Sequence, residues 1–165
     1  MQETRTKRDR TMLHHHHDAK VARLASLPLF KSADRSALRH LASATDEVTV
    51  GPGRTLIDQG HRHHEAYVLE RGQLKVLVDG VEVTELSEGA IVGEIGLFAP
   101  GPAAATVVTT TDCELLVIPY NRFDQVLDDV PSLARDLAVE LAQRLRSMDL
   151  EHGPGGARPS IENHS

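Results

Sequence analysis

The sequence predicts a mainly β fold with flanking helices: an antiparallel, jelly-roll-like β-roll of about eight strands, with N-terminal helices before it and two C-terminal helices after it. Three observations predict this. Between Val48 and Pro119 the chain breaks into short β-type runs separated by turn signals at Gly51-Pro52-Gly53, Gly60, Gly72, Asp79-Gly80 and Gly89. Such punctuation every roughly 8–12 residues marks an all-β sandwich or barrel. On both sides of that region apolar residues recur at helical spacing instead. Finally, in Ile91-Val92-Gly93-Glu94-Ile95-Gly96-Leu97-Phe98 two glycines bracket a single carboxylate inside an apolar run.

Residues 1–18 are polar and without periodicity, which predicts a disordered tail. Arg5, Lys7, Arg8 and Arg10 form a basic cluster that Glu3 and Asp9 dilute, and nothing fixes His14–His17 as a metal site. From Ala19 to Thr45, Val21, Leu24 and Ala25 make a short helical stripe that Pro28 interrupts. Leu29-Phe30 is then a hydrophobic anchor. Ser32 is the expected N-cap of a second helix, with Asp34 in its first turn and Ala37, Leu38 and Leu41 on its buried face. In the middle region Asp79-Gly80 is a hairpin turn between Leu74–Val78 and Val81-Glu82-Val83. Thr106–Thr111 and Glu114–Ile118 are β-branched or strand-like, and Cys113 beside them reads as a small buried thiol. Tyr120–Asp129 forms a short helix carrying Phe123, Val126 and Leu127. Pro131 opens a longer one whose apolar stripe is Leu133, Ala134, Leu137, Leu141, Leu145 and Met148, with Arg135, Asp136, Glu140 and Arg144 largely off it. Gly153-Pro154-Gly155-Gly156 ends that helix, so the domain is expected over 19–150 with a disordered tail at 151–165.

Composition bounds the function. A length of 165 residues suits one domain with a substantial core. The formal charge of −6 argues against nucleic acid or an anionic membrane as the main partner. Cys113 is the single cysteine, which excludes an internal disulfide and a cysteine-based zinc site. No apolar run has membrane-spanning length and the N-terminus lacks a signal-peptide core, so the expected location is cytoplasmic.

The glycine-bracketed stretch carries the chemistry. A Gly-rich turn leading into a short helical turn leaves backbone N–H groups unpaired, and these suit a phosphate. Glu94 cannot serve that anion, but it can accept hydrogen bonds from sugar hydroxyls. Donors for phosphate beside an acceptor for ribose suggest a nucleotide; the alternative is a solvated Glu in a strand connection.

The run Val92-Gly93-Glu94-Ile95-Gly96-Leu97-Phe98, followed by Pro102-Ala103-Ala104-Ala105-Thr106-Val107, resembles a phosphate-binding cassette. Its family pattern is roughly F-G-E-(L/I)-(A/G)-L, a spacer, then P-R-x-A-(T/S)-V. Tyr67-Val68-Leu69-Glu70-Arg71-Gly72, Leu29-Phe30 and the acid-rich helix after Pro119 match in place as well. From about Ala19 to Met148 the chain resembles the cyclic-nucleotide-binding domain shared by bacterial catabolite-activator proteins and the regulatory subunit of protein kinase A. The resemblance implies a ligand such as cAMP or cGMP and no other cofactor. It implies that Gly93 allows close backbone approach and that Glu94 takes the ribose 2′-hydroxyl. The amides around Gly96 and Ala104 would face phosphate, with Ile95 and Thr106 completing the set.

One departure is large. In the family an Arg follows the cassette Pro and pairs with the phosphate; this chain has Ala103 there, and Ala104 next supplies no hydroxyl. Loss of one partner of a desolvated charge pair costs about 2–5 kcal/mol, or roughly 30- to 4,000-fold in affinity. Arg54, Arg62, Arg71 and Lys75 are the nearby cations by strand order, each expected on the surface. Weak nucleotide binding is therefore expected, and a degenerate family member acting as an interaction module is the alternative. In either case Leu133–Met148 is the expected output element, facing a protein partner or a second copy.

Other functions find little support. His61, His63, His64 and Glu65 suggest a metal-binding cupin, but the position for a ligating Glu holds Tyr67 or Val68, so a solvated, pH-sensitive loop is expected and no metal. No phosphate loop of the G-x-x-x-x-G-K type and no G-x-S-x-G elbow occurs, so no catalytic residue and no enzyme is predicted. Direct DNA binding needs a helix-turn-helix beyond the long helix, and the residues after Met148 are rich in Gly, Pro and Ser instead.

Overall fold

The computed structural model describes residues 16–151. The expectations for residues 1–15 and 152–165 lie outside the described residues. Helix α1 runs over 16–26, so residues 16–18, assigned to the tail on sequence, are helical. A 3-10 turn at Pro28–Phe30 follows, then helix α2 at Arg35–Ser43. Eight strands come next: β1 Asp46–Val50, β2 Thr55–Ile57, β3 Glu65–Arg71, β4 Leu74–Val78, β5 Val81–Leu86, β6 Ile91–Val92, β7 Thr106–Thr109 and β8 Cys113–Pro119. The short helix α3, Ile95–Phe98, interrupts them between β6 and β7, and helices α4 (Tyr120–Asp129) and α5 (Pro131–Glu151) close the chain.

The strands form two four-stranded sheets with the orders β1-β8-β3-β6 and β2-β7-β4-β5, and each pair of neighbouring strands runs antiparallel. This is the β-roll that the glycine punctuation predicts. The β4–β5 hairpin turns at Asp79 and Gly80, whose φ values of 51° and 78° fit a two-residue turn that follows the strand twist.

Side chains of β3 and β8 alternate between two cores. Ala66, Val68, Leu116 and Ile118 point toward the helices, where they join Leu24, Leu29, Phe30, Leu41, Phe123, Leu133 and Leu137. Leu69, Cys113 and Leu115 point the other way, into the roll, to meet Ile57, Leu74, Val92 and Val107. Burying a side chain of this size stabilises the fold by about 1.5–3 kcal/mol. Cys113 is buried, as expected for a packing thiol.

Two local expectations are corrected. The N-cap of α2 is Asp34, not Ser32: the Asp34 carboxylate accepts a 2.9 Å hydrogen bond from the Ala37 N–H. Ser32 turns instead toward α5, where its hydroxyl lies 3.4 Å from the Glu140 carboxylate. Glu140, expected off the buried stripe, is buried beside it. The stripe of α5 also divides along its length. Leu133 and Leu137 are buried, Leu141 is half-buried, and Leu145 and Met148 are 64% and 55% exposed. The helix packs on the 3-10 turn and α4 with its first half only.

Candidate functional site

A cavity of about 360 Å³ lies between two segments: Gly93–Gly96, which connects β6 to α3, and the 99–105 loop that leads into β7. Ile57, Val76, Ile91, Val92 and Val107 form its apolar walls. Ligand pockets start near this size. Of the residues singled out on sequence, Gly93, Glu94, Ile95, Gly96, Ala103 and Ala104 line it. Thr106 does not; its hydroxyl accepts a 3.0 Å hydrogen bond from the Gln59 N–H.

Both segments are held from behind. Ala103 exchanges hydrogen bonds with the 60–61 turn, its N–H donating to the His61 carbonyl at 2.9 Å and its carbonyl accepting from the Gly60 N–H at 2.8 Å. The Tyr120 hydroxyl donates to the Gly93 carbonyl at 2.7 Å. Only glycine fits at Gly93, where φ is 77° and a Cβ would lie 3.0 Å from the Glu65 carbonyl oxygen. At Gly96 a Cβ would collide with the Tyr120 ring, so the missing side chain makes room for the tyrosine as well as for a ligand.

The polar groups of the cavity are few. Glu94 precedes α3 and is half-buried. Among the described residues the N–H groups of Ile95, Gly96, Ala104 and Ala105 have no backbone acceptor, in contrast to those of Leu97 and Ala103. Burial, and then the Glu94 charge, push the Tyr120 hydroxyl up to about 12, so it remains a donor at neutral pH. None of Arg54, Arg62, Arg71 and Lys75 lines the cavity. Arg71 sits 3.7 Å from Glu114 on the surface instead.

The histidine loop differs from its expected form. His61 and His64 are exposed, with His61 beside Asp58 at 3.1 Å. His63 is half-buried and lines the cavity, its Nδ1 2.8 Å from the Tyr120 hydroxyl. Sequence reasoning missed it as a site residue. No sequence signal marks it: the register of β3 and β8, with Glu65 opposite Pro119, is what brings the residues before β3 to the start of α4. Among the described residues no group of three or more His, Cys, Asp or Glu side chains is gathered as for a metal ion. Among them, too, no helix is long and apolar enough to cross a membrane.

Comparison with known proteins fits this geometry. The profile of the family described as cyclic nucleotide-binding domain matches residues 47–130, which takes in all eight strands but the first residue of β1. The chain belongs to the cyclic nucleotide-binding domain family, a class of regulatory β-roll domains. It is similar to the mouse potassium/sodium hyperpolarization-activated cyclic nucleotide-gated channel 3, with 28% identity over 151 residues. That alignment covers 86% of this chain and 19% of the channel, so the chain spans about a fifth of that relative. Among solved structures, the N-terminal domain of a transcriptional regulator from Streptomyces coelicolor A3(2) superposes with a TM-score of 0.71 at 30% identity, covering 77% of this chain and 94% of that one. The regulatory domain of Toxoplasma gondii PKA with cAMP gives a TM-score of 0.62 at 27% identity, covering 68% of this chain and 45% of that one.

Proposed function

We propose that the chain is a regulatory domain that takes a cyclic nucleotide, cAMP or cGMP, into the cavity beside α3 and signals its occupancy through α4 and α5. The observation that carries this reading is the pairing of one carboxylate with open backbone donors around a single cavity. Glu94 accepts from the ribose 2′-hydroxyl, and the N–H groups of Ile95, Gly96, Ala104 and Ala105 donate to the cyclic phosphate. The structure of the Toxoplasma domain with cAMP supports the choice of ligand class. Because Ala103 brings no charge, the affinity is weak.

The route outward starts at the cavity wall. Tyr120, the first residue of α4, holds Gly93, and Phe98 of α3 packs edge-on against Phe123 of α4 with ring centroids 5.7 Å apart. Helix α5 follows α4 directly, and its exposed Leu145 and Met148 offer an apolar surface to a protein partner or a second copy.

Calorimetric titration with cAMP and with cGMP tests the reading. Binding by the unmodified chain, lost on Glu94→Ala, is the expected result. No heat from either nucleotide at millimolar concentration overturns it. That outcome favours the second reading, an interaction module without nucleotide, for which Ala103 and the exposed end of α5 already speak.

A further inference from the structure

Among the residues lining the cavity, two carry ionisable side chains, Glu94 and His63. The hydrogen bonds around His63 fix where its hydrogen sits. Nδ1 faces the Tyr120 hydroxyl oxygen at 2.8 Å and the Glu65 carbonyl oxygen at 3.3 Å. The Tyr120 hydroxyl has one hydrogen and gives it to the Gly93 carbonyl, which can only accept. It therefore has none to offer the imidazole, and both atoms facing Nδ1 are acceptors. Nδ1 carries the hydrogen. Nε2 has no protein partner among the described residues, and it is open to solvent, since no buried side-chain nitrogen or oxygen there lacks a partner.

This arrangement gives the ring two different faces toward an anion. In the neutral ring Nε2 presents a lone pair, which repels phosphate. After protonation it presents a charged N–H donor, while Nδ1 keeps both of its acceptors unchanged. We propose that protonated His63 is the cation on the phosphate side of this pocket, so that a nucleoside cyclic monophosphate binds together with one proton taken up at Nε2. The proposal rests on the reading of the cavity as a nucleotide site.

The charges nearby leave His63 as the group suited to this task. From β3 comes Glu65, whose carboxylate accepts a hydrogen bond from the Tyr67 hydroxyl at 2.9 Å. From α4 comes Tyr120, and from the turn before α3 comes Glu94. The β2 side contributes Ile57, which is apolar. On its own loop, exposed His61 lies beside Asp58, and His64 is exposed. Without the proton, an incoming phosphate meets Glu94 with no compensating side-chain charge in the lining.

The test is calorimetric titration of the full chain with cAMP and cGMP at intervals from about pH 5.5 to about pH 8.5, the span over which histidines change charge. Buffers of different ionisation enthalpy report the protons taken up. The expected result is an affinity that falls toward about tenfold per pH unit at the alkaline end, with uptake approaching one proton per nucleotide. His63→Gln keeps a polar partner for Tyr120 and should give a flat profile at the weak, alkaline level of the unmodified chain. His61→Gln and His64→Gln should keep the slope. Thermal melts confirm that each variant folds, and the imidazole resonances of His63 in the unmodified chain should titrate at higher pH with nucleotide than without. Binding that is independent of pH, or a slope that survives His63→Gln, overturns the role of His63 and leaves the nucleotide site standing. No binding at any pH overturns both.

Discussion

The Tyr120 hydroxyl donates a 2.7 Å hydrogen bond to the carbonyl of Gly93, joining the first residue of α4 to the turn that opens the cavity. Its ring meanwhile fills the space that a side chain at residue 96 would need. Gly96→Ala should therefore destabilise the fold by about 1–3 kcal/mol, the usual range for overpacking. Denaturant midpoints measure this. Combining the change with Tyr120→Leu should cost less than the sum of the two single variants, because the clash and its cause are removed together.

Ala103 lines the cavity on the side opposite Glu94's turn and brings no charge. Ala103→Arg should raise the affinity for cyclic nucleotide at least about tenfold, since a desolvated ion pair with phosphate is worth more than one decade. Submicromolar binding by the unmodified chain, unchanged by the arginine, would contradict the argument about the missing cation.

Two tyrosines make the protein sensitive to alkali. Burial and the Glu94 charge raise the Tyr120 hydroxyl to about 12, from an ordinary value of about 10. Burial, the hydrogen bond to Glu65 and the Glu65 charge also raise Tyr67. Between these values the unfolded chain has released protons that the folded chain still holds, so stability falls as pH rises. It is fully present below about pH 10. The denaturation midpoint should decline from there upward, and Tyr67→Phe should make the decline shallower. A midpoint that stays level up to about pH 12 would count against both shifts.

The two halves of α5 should respond differently to truncation. Leu137 is 1% exposed, and Leu145 is 64% exposed. Leu137→Ala should cost about 2–5 kcal/mol, whereas Leu145→Ala should stay within about 0.5 kcal/mol in the isolated chain. Urea melts of both variants provide the comparison.

Much of this architecture is legible in the sequence because glycines cut the β-region into runs of strand length and two Pro residues, Pro119 and Pro131, set the starts of α4 and α5. Gly93 and Glu94 are legible for a related reason: a carboxylate between glycines is unusual in an apolar run. What the sequence hides are contacts set by register. Leu115-Leu116-Val117-Ile118 reads as a uniform apolar run, since β8 is covered on both faces and gives no alternation to assign a side. Ser32 and Asp34 are both good caps; Asp34 caps the helix, and the serine hydroxyl lies toward Glu140 on the far helix. His63 resembled its two solvated neighbours because its partner, Tyr120, is 57 positions away.

The sheet that holds β3 and β8 separates two cores that meet across a single layer of backbone. Detachment of the helical layer would strip one core and leave the other inside the roll, which allows a sub-global opening. Amide protons of α2, α4 and the start of α5 should then exchange as one unit, ahead of those in β3 and β8. The Tyr120–Gly93 bond is where such an excursion reaches the cavity. On the proposed function, a ligand that tightens that turn should slow amide exchange along α4, and occupancy of the cavity would then register as solvent protection of the helices.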